Sequence, residues 1–300
     1  MEHYHTPVLL EQSIDGLSIK PNGIYVDCTF GGGGHSRAIL EKLTTGRLIA
    51  FDQDQDAWKN KPNDNRLILV QGNFRYLRNY LRYHNAEKVD GILADLGVSS
   101  HHFDDETRGF SFRFDTGLDM RMNQAAELTA EKVLNEYSVD ELKTIFKVYG
   151  ELNTGGRIAG FIDRFRKQQK IETVEQFKEI LKPILPPKAQ SKILAQVFQA
   201  LRIEVNQEME ALKDMLLQTA LVLKPGGRLV VITYHSLEDR LVKNYIKNGL
   251  FAGEPEKDLY GHVSVPFTSV NRKIIVPDEE EVLRNSRARS AKLRIAERIE

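Results

Sequence analysis

Short apolar runs alternate with helical patterns along the first third of the chain. The runs are rich in aliphatic and β-branched residues, as buried strands are. This alternation predicts a parallel sheet with helices on both faces and ligands bound beyond the carboxyl ends of the strands. The predicted strands are residues 23–29, 48–52, 67–71 and 89–96, with predicted helices at residues 36–43 and 76–83.

The middle of the chain, from about residue 127 to residue 223, contains no convincing strand pattern. Its apolar residues recur at helical spacing, and Pro183, Pro186 and Pro187 interrupt the pattern. We therefore predict a helical insertion within the α/β fold. The predicted helices are residues 130–136, 140–149, 154–168, 174–185, 188–201 and 209–223.

The last third returns to strand patterns. A Lys-Pro-Gly-Gly turn at 224–227 precedes a strand at 228–234 and a helix at 237–247. Residues 262–276 have β-type content, and residues 290–299 predict a final strand that closes the sheet. The predicted fold class is α/β, with a sheet domain of residues 1–105 and 211–300 and an inserted all-helical domain of residues 106–210.

Four consecutive glycines, Gly31 to Gly34, follow the first predicted strand and precede a helical pattern. Glycine permits positive φ and close approach of a ligand, so this strand–turn–helix geometry suits a nucleotide-like ligand; a tight turn without a ligand is the alternative. Asp52 ends the next strand, about 20 residues beyond the loop, where a carboxylate would meet ribose hydroxyls. Ser36 stands where the dinucleotide fingerprint has its third glycine, which favours a nucleoside ligand such as S-adenosylmethionine.

Charge and cysteine content narrow the class of protein. The 300 residues carry 42 basic and 42 acidic side chains, so no net charge draws the protein to nucleic acid, although local patches remain open. Cys28 is the single cysteine, which excludes an internal disulfide and favours a reducing compartment. No apolar stretch has the length of a membrane span and the N-terminus lacks a signal-type pattern, so we expect a cytoplasmic protein without membrane attachment.

Eight blocks of sequence stand in order along the chain. They read YHTPVLL, DCTFGGGGHS, DLGVSS, RGFSF, LDMRM, FQALRIEVN, HSLEDR and SRARSAKLR. Together they resemble the bacterial ribosomal RNA small subunit methyltransferase H family, and a set of blocks in this order is far more specific than any single motif. The sequence departs from the family at His101-His102, where Pro-Gln is usual, and at Ser286, where proline is common.

The resemblance implies a Rossmann-like S-adenosylmethionine-dependent methyltransferase sheet, with an inserted helical domain that helps to hold the substrate. It implies N4-methylation of a cytidine in the decoding region of 16S rRNA, with the small ribosomal subunit as the partner. The cofactor contacts that it implies fall on Gly33, Gly34, His35, Asp52, Phe74, Asp95 and His102.

Two residues at predicted strand ends are candidates for catalysis. Methyl transfer to the exocyclic amine of cytosine requires alignment of a weak nucleophile, and an acceptor near the amine would orient it and take its proton. Asp95 ends a central strand, and His235 follows the fifth strand at the same edge. Alternatively, Asp95 orients the ammonium group of the cofactor and His235 holds the neighbouring loops.

Cationic residues in two regions are candidates for RNA phosphate contacts. Arg108, Arg113 and Arg121 are interleaved with phenylalanines at positions 110, 112 and 114. Aromatic rings beside arginines suit an unstacked base, whereas the alternative is that these rings fasten the insertion to the core. The second group is Arg287, Arg289 and Lys292 in the tail.

Several functions and states stay open from the sequence. A methyltransferase of this fold could act on a protein or a small molecule, since fold does not determine substrate. A ribosome-assembly factor that binds RNA with weak catalysis is another alternative, and Ser36 disfavours an NAD-dependent oxidoreductase. We predict no metal site, because the sequence shows no metal-binding cluster, and we expect either a monomer or a homodimer.

Overall fold

A computed structural model describes residues 7–97, 105–255 and 264–299. The chain divides into two compact units. The sheet unit comprises Met1–Gly97 and Met209–Glu300, and the helical unit comprises Val98–Glu208. In the described ranges, no helix is both long enough and apolar enough to span a membrane.

Seven strands form one sheet in the order β3-β2-β1-β4-β5-β7-β6. The first five strands are parallel to one another, and β7 runs antiparallel to both β5 and β6. This arrangement confirms the predicted α/β fold and the final closing strand. The strands are β1 (Ile24–Asp27), β2 (Arg47–Asp52), β3 (Leu67–Gln71), β4 (Val89–Asp95), β5 (Leu223–Thr233), β6 (Phe267–Ser269) and β7 (Lys292–Arg298).

The helices of the described residues fall between and beyond these strands. In chain order they are α1 (Leu10–Leu17), α2 (Gly34–Lys42), α3 (Leu77–Tyr83), α4 (Ala130–Glu136), α5 (Val139–Val148), α6 (Gly155–Arg166), α7 (Val174–Leu181), α8 (Gln190–Asn206), α9 (Glu208–Val222), α10 (Ser236–Asn248) and α11 (Glu279–Arg284). Short 3₁₀ turns cover Gln55–Asn60, Phe74–Tyr76, Lys182–Ile184, Pro187–Ala189 and Ser286–Ser290.

Both faces of the sheet are covered by helices. Successive residues of a strand point to opposite faces, so an aliphatic run such as β2 serves two cores. Ile49 and Phe51 pack into the core that contains α3, α9 and α10, whereas Leu48 and Ala50 pack into the core that contains α1 and α2. Continuous burial of the strand explains why β2 reads as an unbroken apolar run.

The helical unit has its own apolar core, contributed by α4 to α8. Side chains that precede two of its helices satisfy the first backbone N–H groups. Ser138 with Glu141 and Thr173 with Gln176 form capping boxes at the starts of α5 and α7. The predicted helix 174–185 ends earlier, at Leu181, because Pro183 lacks the N–H that would continue the ladder.

The structure differs from the sequence prediction at the start of β5. The prediction gave a turn at 224–227, whereas β5 begins at Leu223, which pairs with Val89. The next pair is Gly91 with Arg228, so the Lys-Pro-Gly-Gly segment bulges out of the ladder. Gly226, with φ of 75°, supplies the positive φ that the bulge uses.

Candidate functional site

The carboxyl ends of the parallel strands meet along one edge of the sheet. The glycine loop follows β1, Asp52 ends β2, Asp95 ends β4, and Tyr234 follows β5. The structure therefore brings together the glycines and both acids singled out by the sequence. Ligands of open α/β sheets bind in the crevice outside such strand ends.

Backbone geometry explains the run of glycines. Gly31 and Gly33 have φ of 50° and 74°, a region that residues with a Cβ rarely adopt. A Cβ added to Gly33 would lie 2.9 Å from the Phe30 ring, and one added to Gly34 would lie 2.1 Å from Pro7. Gly33 is the N-cap of α2, and no side chain of the described residues caps this helix. The first N–H groups of α2 are therefore suited to an anion.

Asp52 holds the glycine loop against the end of β2. Its Oδ2 accepts a hydrogen bond from the Gly31 N–H at 2.8 Å, and its Oδ1 accepts from the Asp54 N–H at 2.8 Å. Asn60 closes the other side of the loop, because its amide donates to the Gly31 carbonyl at 3.1 Å. The Asp52 carboxylate is fixed in orientation and remains partly exposed at the sheet edge.

Asp95 is surrounded by polar partners at the end of β4. Tyr234 donates its hydroxyl to Asp95 Oδ1 at 2.8 Å, and His35 Nδ1 lies 3.7 Å from Asp95 Oδ2. The Asp95 N–H donates to the Thr29 hydroxyl, which ties β4 to the start of the glycine loop. Burial raises the pKa of Asp95 to about 6, against the opposing effects of His35 and Tyr234.

A second acid, Asp27, lies beneath the loop and was not singled out by the sequence. It is fully buried and accepts hydrogen bonds from the Ser36 hydroxyl at 2.7 Å and the Thr29 N–H at 3.0 Å. Burial raises its pKa, and Ser36 opposes that rise. Ser36, which replaces the third glycine of the dinucleotide fingerprint, lies in the first turn of α2 and anchors the helix to β1. Asp27 is the last residue of β1, shortly before the glycines, and this place at a strand end was the signal that could have revealed it.

His35 is buried between the N-terminal segment and Asp95. Its Nε2 lies 3.1 Å from the Val8 carbonyl oxygen, which can only accept, so Nε2 carries the proton. The opposite ring nitrogen, Nδ1, faces Asp95. The imidazole is therefore held within the protein, and the backbone of His35 lies in the first turn of α2.

A sequence profile of the MraW methylase family matches residues 2–299. The chain belongs to the MraW methylase family. Its match to a protein named ribosomal RNA small subunit methyltransferase H, from Bacteroides fragilis strain YCH46, is 60% identical over 296 residues, 98% of this chain and 97% of that one. The protein of that name in Christiangramia forsetii is 58% identical over 297 residues, 99% of this chain and 98% of its own length. These matches confirm the resemblance carried by the eight sequence blocks.

Among solved structures, an rRNA methylase from Streptococcus thermophilus covers 99% of both chains with 14% sequence identity and a TM-score of 0.42. A likeness this distant carries no argument about the site. The assignment of the chain to the MraW family rests on the sequence matches.

Of the two remaining predicted cofactor contacts of this MraW-family chain, Phe74 lies within the described residues and His102 does not. Phe74 is half-buried in the turn after β3 and packs against the core of the sheet unit. The preceding residue, Asn73, donates its side-chain amide to Gln53 Oε1 at 3.1 Å, which links the loops after β2 and β3. His102 lies outside the described residues.

His235 acts as a helix cap in the structure. Its Nδ1 accepts from the Glu238 N–H at 3.4 Å, and its Nε2 lies 3.1 Å from Glu238 Oε1. Glu238 is buried and also accepts from the Tyr234 N–H at 2.8 Å. These contacts agree with the alternative in which His235 holds neighbouring loops, and a catalytic role for it stays a prediction. Tyr234, one position earlier, is the residue that contacts Asp95, and the sequence did not single it out.

The predicted RNA contacts of the helical unit separate into buried and exposed groups. Arg108 is 5% exposed and donates to the carbonyls of Arg121 and Met122, so it is placed inside the unit rather than on its surface. Arg121 is held by the Asp119 carboxylate at 2.7 Å. Arg113 is exposed. Phe110 belongs to the core of the unit and Phe112 packs against it, so the alternative that these rings fasten the insertion fits the structure.

The predicted RNA contacts of the tail lie near β7. Arg289 is exposed and Arg287 is half-buried in the 3₁₀ turn before that strand. Lys292 lies 3.5 Å from Asp239, which also pairs with Arg294 at 2.7 Å. Arg289 is therefore the most accessible of the three predicted cations to a phosphate.

Proposed function

We propose that this protein transfers a methyl group from S-adenosylmethionine to N4 of a cytidine in the decoding region of 16S rRNA. The relatives that share 58–60% of its residues over nearly the whole chain are named as ribosomal RNA small subunit methyltransferases, which supports an rRNA substrate. The MraW family is a methylase family, which supports methyl transfer.

The grouping of an uncapped helix start with two carboxylates at one sheet edge carries the cofactor part of the proposal. S-adenosylmethionine has a carboxylate, an ammonium group and ribose hydroxyls. The first N–H groups of α2 suit the carboxylate, Asp52 suits the hydroxyls, and Asp95 suits the ammonium group. The chemistry of the residues present therefore fits the cofactor, with Gly33, Gly34 and His35 contributing backbone.

The bound cofactor would supply a methyl group on a sulfonium, ready for in-line displacement. The residues of this chain would then align the nucleophile and handle charge. With a pKa of about 6, Asp95 is mostly ionised at neutral pH, and the raised value makes it a better base than an ordinary aspartate. As the alternative to a contact with the cofactor ammonium group, Asp95 is thus our candidate for accepting the amine proton at a carboxylate oxygen, directly or through water.

Recognition of the RNA is assigned to two regions. The helical unit is the proposed substrate-recognition domain, with exposed Arg113 as its candidate phosphate contact. In the tail, exposed Arg289 takes this role. A cytidine within folded RNA would have to be unstacked to reach the sheet edge.

The decisive experiment supplies the protein with labelled S-adenosylmethionine and small ribosomal subunits from cells that lack the activity. Digestion of the RNA and analysis of its nucleosides should yield labelled N4-methylcytidine. Naked 16S rRNA in a parallel reaction tests whether the assembled subunit is the substrate. Label in protein, in a small molecule or in another nucleoside would overturn the proposed substrate, and absence of label with retained cofactor binding would favour an assembly factor.

A further inference from the structure

The acidic run at residues 278–281 has a place in the structure that its sequence did not indicate. On sequence alone such a run is the solvated start of a helix, and Glu279 and Glu280 are indeed exposed. Glu281 is different. Its Oε1 accepts a hydrogen bond from the Leu9 N–H at 2.7 Å, across 272 positions of the chain. Asp278 caps α11 by accepting from the Glu281 N–H, which fixes the backbone from which this side chain extends.

The segment that Glu281 holds is strained and tightly packed. Leu9 has φ of 51° and ψ of 41°, a left-handed conformation that brings the Cβ of a leucine too close to the following carbonyl oxygen. Val8 and Leu9 are both buried. Pro7 lies so close to α2 that a Cβ on Gly34 would come within 2.1 Å of its ring. The hydrogen bond from the Leu9 N–H to Glu281 therefore stabilises the left-handed conformation of Leu9.

The same segment fixes the orientation of the His35 ring. The Val8 carbonyl accepts from His35 Nε2, and that bond turns Nδ1 toward Asp95 Oδ2, 3.7 Å away. Burial and the neighbouring Asp95 raise the pKa of the Tyr234 phenol, the donor to Asp95, and the charge of Glu281 adds a smaller effect in the same direction. Hydrogen bonds and packing thus connect α11 to the candidate cofactor acid through residues 7–9.

We propose that Glu281 is a positioning residue that fixes the N-terminal segment and thereby holds the His35 ring, with its Nε2–H on the Val8 carbonyl and its Nδ1 toward Asp95. This inference rests on the proposed function, because the cluster it positions is the proposed S-adenosylmethionine site. Through these contacts the C-terminal tail, which also carries the exposed Arg289, would influence the proposed cofactor site around Asp95.

Three variants of the full chain test the link. Glu281→Ala removes the acceptor, Glu281→Gln keeps an oxygen acceptor while removing the charge, and Glu280→Ala is the matched control at an exposed neighbour. The readouts are hydrogen exchange of the Leu9 amide, the His35 tautomer from long-range ¹H–¹⁵N correlations, and binding of S-adenosylhomocysteine by calorimetry. A thermal melt shows that each variant is folded.

Glu281→Ala should speed Leu9 exchange at least tenfold, mix the His35 tautomers and weaken ligand binding about tenfold, the equivalent of one charge-assisted hydrogen bond. Glu281→Gln should restore most of each value, and Glu280→Ala should match the wild type. Unchanged His35 signals or unchanged affinity in Glu281→Ala would overturn the positioning role. A wild type that binds no ligand would instead overturn the proposed function, while the exchange and tautomer readouts would still decide the role of Glu281.

Discussion

Replacing Tyr234 by phenylalanine would remove one hydrogen bond to Asp95 and little else. The Tyr234 hydroxyl lies 2.8 Å from Asp95 Oδ1, and its ring packs against the core shared with α1 and α2. Phenylalanine keeps that ring. The hydroxyl stabilises the ionised form of Asp95, so its loss should raise the pKa of that carboxyl.

The size of the shift follows from the environment of Asp95. A hydrogen bond to a charged acceptor contributes about 1.5–3 kcal/mol, and a shift of one pKa unit corresponds to about 1.4 kcal/mol. The Asp95 side chain is 19% exposed, so water replaces part of the lost hydrogen bond. The lower end of the energy range therefore applies. The pKa of Asp95 should move from about 6 in the wild type to about 7 in the variant.

The assay is the pH dependence of kcat/KM for methylation of small ribosomal subunits. Because the proposed mechanism requires ionised Asp95, activity should fall as the pH drops through about 6 in the wild type and about one unit higher in Tyr234→Phe. At pH 8.5 the two rates should converge. Tyr245→Phe, which deletes the hydroxyl of another tyrosine of the sheet unit, should leave the profile unchanged. If the fall in kcat/KM at acidic pH stays at the same pH in Tyr234→Phe, or moves to lower pH, the proposed role of Asp95 as the base is refuted.

Three further substitutions test other parts of the site. Asp52→Ala should weaken S-adenosylhomocysteine binding at least tenfold by calorimetry, since it removes an acceptor and the partner of the Gly31 N–H; unchanged affinity would remove Asp52 from the site. Asp95 has a folded-state pKa above its usual value, so its ionisation costs stability as the pH rises through about 6. Asp95→Asn should therefore abolish activity yet raise the free energy of unfolding by about 1–3 kcal/mol at pH 8 and by almost nothing at pH 3, measured by urea denaturation; equal gains at both pH values would contradict this. Arg289→Ala should weaken RNA binding and reduce the salt slope by about one counterion, whereas an unaltered slope would return Arg289 to plain surface.

Local pattern was sufficient to predict most elements of the fold. β3 and α4 were both predicted with their observed bounds. A buried strand appears in the sequence as a short apolar run, and an amphipathic helix appears as apolar residues at helical spacing. The glycine loop, Asp52 and Asp95 were found because parallel strands put their carboxyl ends at one edge. α1 was missed, since its left-handed N-cap Leu9 offers none of the usual start signals.

The sequence by itself determined the sheet, the inserted helices, the position of the glycine loop and the family. Only the tertiary structure decided which side chains meet around Asp95. Tyr234 is 139 positions from Asp95 and Glu281 is 272 positions from Leu9, so no local period relates them. The order of strands in the sheet places β5 beside β4 and brings Tyr234 to Asp95. Burial then makes each contact strong, because few water molecules compete for the same donors and acceptors.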